Sequence, residues 1–153
     1  MLAPLERIVS GTRDRLARLR QIAELTPTHG AHRWVGVYEV DRAAGMVRDL
    51  VWSGTGTPEY PTFLMTKGLI GSASAERRAV NVADVASDPR YLTAFGSTRS
   101  EIIVPIFDRD GRDVVGTIDV GSGQPNAFDA AAQDLLEECE RVIRMFWDNS
   151  GTP

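Results

Sequence analysis

Four residues carry most of the chemistry this sequence offers: Glu101, Asp119, Trp34 and Tyr38. The acids sit in two strand-like runs, Ser100-Glu101-Ile102-Ile103-Val104-Pro105-Ile106 and Val114-Val115-Gly116-Thr117-Ile118-Asp119-Val120. These are joined by Asp108-Arg109-Asp110-Gly111, which reads as a type I turn closed by a left-handed glycine. With Arg109 to Gly111 as the loop, Asp108 pairs Arg112, Phe107 faces Asp113, Pro105 faces Val115, Ile103 faces Thr117, and Glu101 falls directly opposite Asp119. Like charges across a ladder repel, and burial raises at least one pKa. A cation or a shared proton relieves both costs, so an ammonium ligand is the natural guest. In Arg33-Trp34-Val35-Gly36-Val37-Tyr38, alternation turns Trp34, Gly36 and Tyr38 to one sheet face, an aromatic floor for a small molecule.

Each of these readings has a plainer competitor. The acids can sit solvated at a rim or be paired by Arg99 or Lys67, and strand aromatics often belong to the core. Gly68 to Ser74 enters a helix whose free N–H groups suit an anion, so Gly71 and Ser72 are candidates for a ligand carboxylate. Ser72 or Ser74 as a simple cap is the alternative. Gly54-Thr55-Gly56 lacks the ending of a phosphate loop and reads as a turn. His29 and His32 lie in a connecting segment with no acid or thiol at ligand spacing, so no metal site is expected. No base is placed for a Ser-His-Asp set, no nucleophile is apparent, and no catalytic residue or cofactor is assigned.

The elements that hold these residues follow from periodicity. Leu5, Ile8, Val9, Thr12, Leu16, Leu19 and Ile22 predict a long amphipathic helix over residues 2–25, within an N-terminal segment 1–28. Strands at 33–40 and 46–53 form a hairpin, and a short strand follows at 63–65. A helix is expected from about Ser72 to Arg77, a strand at 80–82, and an irregular stretch over 83–97 that could cover a pocket. The hairpin of residues 100–121 comes next, with an apolar reverse face (Ile102 with Ile118, Val104 with Gly116, Ile106 with Val114) packed under helices. Gln124 to Asp129 caps a last helix with Leu135, Cys139, Val142 and Phe146 along one stripe, widened by Leu136 and Ile143; Asp129, Asp134, Glu137, Glu138 and Glu140 are read as exposed. The main domain spans 29–148 and a tail spans 149–153.

At 153 residues, 42% hydrophobic and 25% charged, the chain fits one globular domain. No apolar run reaches the roughly 20 residues of a membrane span, and the start lacks a secretion signal's apolar core, so a cytoplasmic location is expected. A net charge of −4 gives no general attraction to nucleic acid. Arg13, Arg15, Arg18 and Arg20 read as a solvated helix face. The lone Cys139 rules out an internal disulfide and lies on the stripe of the last helix.

The order helix, hairpin, pocket-side segment, hairpin, helix resembles a GAF domain. That resemblance implies an α+β fold, with a central six-stranded antiparallel sheet, terminal helices on one face and a ligand pocket on the other. Within that superfamily, Trp34-Val35-Gly36-Val37-Tyr38, Gly68-Leu69-Ile70-Gly71, Ser100-Glu101-Ile102-Ile103-Val104-Pro105 and Gly116-Thr117-Ile118-Asp119 are most similar to the free methionine-(R)-sulfoxide reductases. The resemblance implies that Trp34, Tyr38, Glu101 and Asp119 contact a free amino acid; a further family acid falls on Gly121. The family's catalytic cysteines fall on Ile70, Ala94 and near Val80, so the thiolate and resolving thiol of that reduction are missing. The expectation is a GAF sensor or binding module for an amino acid or amine, dimerised through its terminal helices as is usual in domains like this. The alternatives are a reductase-like enzyme supplied with external thiols and a structural dimerisation module with a collapsed pocket.

Overall fold

The computed structural model of the chain describes residues 7, 8, 11, 14–25, 33–54, 60–91 and 97–148. One antiparallel sheet organises them: β1 (Arg33–Asp41), β2 (Met46–Gly54), β3 (Thr62–Leu64), β4 (Val80–Val82), β5 (Ser100–Phe107) and β6 (Val114–Ser122), in the spatial order β3-β2-β1-β6-β5-β4. Helices α1 (Arg15–Leu25) and α3 (Ala130–Phe146) cover one face, and α2 (Gly68–Glu76) lies against the other. This is the α+β architecture expected of the resemblance.

The two terminal helices form where apolar spacing meets a capping carboxylate, Asp14 for α1 and Asp129 for α3. Leu19 and Ile22 of α1 and Leu136, Cys139, Ile143 and Phe146 of α3 are buried against Val35, Val37, Ile102 and Ile118 of the sheet. The Asp129 carboxylate caps α3 by accepting from the Ala132 N–H at 2.9 Å. The other face packs Trp34, Tyr38, Val47 and Ile103 against Leu69, Ile70 and Ala73 of α2. Two glycines let indoles lie flat on the sheet, one on each side. A Cβ on Gly36 would stand 2.2 Å from the Trp34 ring, and one on Gly116 would stand 2.6 Å from the Trp147 ring.

Several expectations change. Helix α2 begins at Gly68, four residues ahead of Ser72. The residue range 1–14 of the N-terminal segment is described only at 7, 8, 11 and 14, and Ile8 there joins the helix-side core. Leu16 is exposed, whereas Arg18 is buried with its guanidinium 5.1 Å over the Phe146 ring, so the arginine face is not wholly solvated. Arg15 likewise lies over Trp147, at 5.2 Å. Glu140, read as exposed, is buried: it accepts from the Phe107 N–H at 3.1 Å and pairs with Arg144 at 2.9 Å. The burial stripe of α3 runs through Leu136 and Ile143, leaving Leu135 and Val142 half-buried.

The β5–β6 turn forms as expected, with Gly111 at φ 70° and its N–H bonded to the Asp108 carbonyl. Its register differs. Asp108 pairs Asp113 rather than Arg112, and a bulge between Ile106 and Phe107 adds a second one-residue shift. Ile106 therefore pairs Gly116, and Val114 turns to the α2 side instead of lying under the terminal helices.

Candidate functional site

Those two shifts together move the register by two residues, so Glu101 pairs Gly121 and Asp119 pairs Ile103. A shift of two preserves the face. The acids are therefore diagonal neighbours on the α2 side rather than directly opposed, and their side chains share a hydrogen bond. Glu101 is 8% exposed and Asp119 4%. Burial raises both carboxyl pKa values, and Glu101's charge pushes Asp119 higher still. The hydrogen bond between them needs a proton on one carboxyl, and the pair gives that proton up at higher pH than isolated acids do. Neither Arg99 nor Lys67 is among the charges acting on it. Asp119 Oδ1 is buried with no hydrogen-bond partner.

The aromatic floor is present. Gly36 pairs Asp119, Tyr38 pairs Thr117, and Trp34 pairs Gly121, which sets both rings beside the acids. The Trp34 and Tyr38 ring centroids are 6.0 Å apart, and Phe63 meets Tyr38 edge-on at 5.9 Å. Both Trp34 and Tyr38 are buried, but only Tyr38 is core residue and cavity wall at once; Trp34 lies outside the cavity lining and packs in the core beside it. The phenol of Tyr38 is held firmly protonated by burial first, then by the fields of Asp119, Asp49 and Glu101.

A tight cavity of about 30 Å³, room for one or two waters, opens above the acids. Tyr38, Phe63, Ile103, Glu101 and Asp119 line it from the sheet side, with Tyr60 and Tyr91 and the α2 start at Gly68, Leu69 and Ile70. Among the described residues, no Lys, Arg or His lines it. Gly71 and Ser72 belong to α2 but lie outside this lining. Gly71 instead lets the helix pack on the preceding turn, since a Cβ there would stand 2.8 Å from the Thr66 carbonyl carbon. The residue before α2, Lys67, gives no side-chain cap, so the N–H groups of the first turn carry the helix's positive end.

Sequence reasoning missed one acid. Asp49 of β2 stands opposite Tyr38, and both its carboxylate oxygens are buried without a partner. Burial and the charge of Asp119 push its pKa up to about 7. Among the described residues, no His, Cys, Asp and Glu grouping could hold a metal ion, and no helix is long and apolar enough to cross a membrane. A wider groove between α2, β4 and α3 is rich in arginine. There Arg78 and Arg90 meet Glu76, Arg144 meets Glu140, and Arg77 donates to the carbonyls of Gly111 and Arg112.

At the positions where the reductases carry thiols, Ile70 lines the cavity and Val80 is buried in β4, while Ala94 lies outside the described residues, as do His29 and His32. Cys139 is buried on α3, and burial together with Glu138 pushes its thiol up to about 11, so it is inert at neutral pH.

Comparison with known proteins agrees with this architecture. The family model of the GAF domain matches residues 16–142. GAF domain-containing protein A of Dictyostelium discoideum is 24% identical over 144 residues, 94% of this chain and 87% of that one. Free methionine-R-sulfoxide reductase of Saccharomyces cerevisiae is 34% identical over 77 residues, 50% of this chain and 42% of that one. Among solved structures, free methionine-R-sulfoxide reductase from Neisseria meningitidis in complex with its substrate superposes with a TM-score of 0.85 at 26% identity, covering 96% of this chain and 86% of that one. A putative GAF sensor protein from Burkholderia vietnamiensis shares the fold with a TM-score of 0.79 at 22% identity, covering 99% of this chain and 96% of that one.

Proposed function

Because the chain belongs to the GAF domain family, we propose that it is a binding module for a primary amine or α-amino acid, whose ammonium group lodges on Glu101 and Asp119. The observation that carries this reading is the buried acid pair with Asp119 Oδ1 unsatisfied, lining a cavity that contains no cationic side chain among the described residues. An ammonium supplies the missing donors and displaces the shared proton. A ligand carboxylate would meet the uncapped first turn of α2 at Gly68, Leu69 and Ile70, and the Tyr38 ring, itself packed on Trp34, would flank its carbon skeleton. The cavity seats only a headgroup. A whole amino acid requires Tyr60, which is 41% exposed, to turn outward.

Binding without thiol chemistry is supported by Ile70 and Val80 at two of the reductase cysteine positions and by the inert burial of Cys139. The similarity to the yeast reductase favours a second reading, a reductase-like enzyme that draws on external thiols. We also propose a homodimer built on the terminal helices, where Leu16 and Met145 are exposed at 42% and 57%.

A thermal-shift series of amines and amino acids tests the main reading. Ligand at about 100 times its dissociation constant adds roughly 2.7 kcal/mol of stability. The upward shift is expected in the wild type and absent in Glu101→Gln with Asp119→Asn. A flat response to every compound would sink the reading. Turnover of free methionine sulfoxide with thioredoxin or dithiothreitol would replace it with the second.

A further inference from the structure

Asp49 has no role in the fold that accounts for it. Its backbone N–H bonds the Pro61 carbonyl, yet both carboxylate oxygens are buried with no partner. A bulge between Val37 and Tyr38 brings it to the cavity side of the sheet. The Gly36–Trp52 pairing continued regularly would set Leu50 opposite Tyr38, but the structure sets Asp49 there. Asp49, Asp119 and Glu101 thus form a diagonal across β2, β1, β6 and β5, with Tyr38 between the first two.

We propose that Asp49 is a third carboxylate of the cation site, standing behind Tyr38 and adding its negative charge to the hold of Glu101 and Asp119 on a bound ammonium. This rests on the reading of the cavity given above, whose buried and unsatisfied Asp119 Oδ1 supplies the independent sign of a ligand. Asp49 does not line the cavity, so it is a positioning residue that acts through its field. The groups facing it are the Tyr38 phenol on β1 and the Asp119 carboxyl on β6, with Glu101 on β5 reaching the same phenol. Its neighbours on β3, Thr62, Phe63 and Leu64, do not titrate, and Lys67 is not among the charges acting on it. Arg48 beside it in sequence is engaged with Glu39 and Asp41.

The coupling has a definite sign. In the empty site, burial and the Asp119 charge hold a proton on Asp49 until about pH 7. A cation resting on Asp119 cancels that push and attracts the Asp49 charge directly, so the proton leaves as the ligand arrives. Affinity therefore rises as pH climbs through neutrality.

Methylammonium chloride, small enough for the cavity, is the probe, titrated by NMR into the wild type, Asp49→Asn, and the variant neutral at Glu101 and Asp119. Asp49→Asn keeps the shape and removes an unpaired buried charge, and Asp49→Thr serves as a second neutral variant. The expected result is binding about tenfold weaker than wild type near pH 8 and nearly equal near pH 6, a flatter pH profile in both Asp49 variants. Wild-type affinity and an unchanged profile in both would overturn this proposal alone. Wild-type protein that takes up no methylammonium at either pH would overturn the reading of the cavity, and this one with it.

Discussion

The two faces of the sheet bury acids in opposite ways. On the helix side, Glu140 has every need met: Arg144 grips both its oxygens at 2.9 Å, and the Phe107 N–H, beside the bulge in β5, donates to one of them. On the α2 side, Glu101, Asp119 and Asp49 have no cationic partner among the described residues, and oxygens of two of the three are unsatisfied. The first arrangement ties α3 to the end of β5. The second only costs stability unless something positively charged arrives, since unpaired buried charge is among the most expensive features a fold can carry. A buried carboxylate is thus no sign of a binding site by itself. Its unmet partners are.

Breaking the satisfied side should give the largest effect. Arg144→Met leaves Glu140 buried against Phe107 with no countercharge, and chemical denaturation should show a loss of about 3 kcal/mol, toward the low end for buried pairs because Arg144 is partly exposed. On the other face the effect is smaller and depends on pH. Asp49, Glu101 and Asp119 all have raised folded-state pKa values, so their contribution is fully present below about pH 4 and is lost as pH rises through those folded values, which for Asp49 is about pH 7. Asp49 alone should account for about 2 kcal/mol of that loss, allowing for solvent screening of a partly exposed residue. Neutralising the pair with Glu101→Gln and Asp119→Asn should flatten the melting-temperature profile and add about 1 kcal/mol near pH 8. Removing charge therefore stabilises one face, whereas removing a partner destabilises the other.

Much of this contrast was legible in the sequence, and the rest was hidden by the bulges. The order of elements, the α2-side placement of Trp34, Tyr38, Glu101 and Asp119, and the left-handed Gly111 follow from alternation and turn chemistry. The predicted pairing of Glu101 with Asp119 was off by two residues. The facing survived only because one extra turn residue and one bulged residue sum to an even shift. An odd shift within the other hairpin is what delivers Asp49 to the cavity side, and simple period-2 reasoning gives no warning of it. Glu140 was misplaced for a related reason. The spacing of α3 leaves it at the margin of the stripe, and only the Phe107 N–H and Arg144 make its burial tolerable.

Carbon-13 NMR titration of the side-chain carboxyl groups in the ligand-free protein tests the central claim most directly. Glu101 and Asp119 are expected to keep their shared proton above the ordinary carboxylate range and to lose it when methylammonium binds. Both carbons titrating below about pH 5, with or without methylammonium, would contradict it.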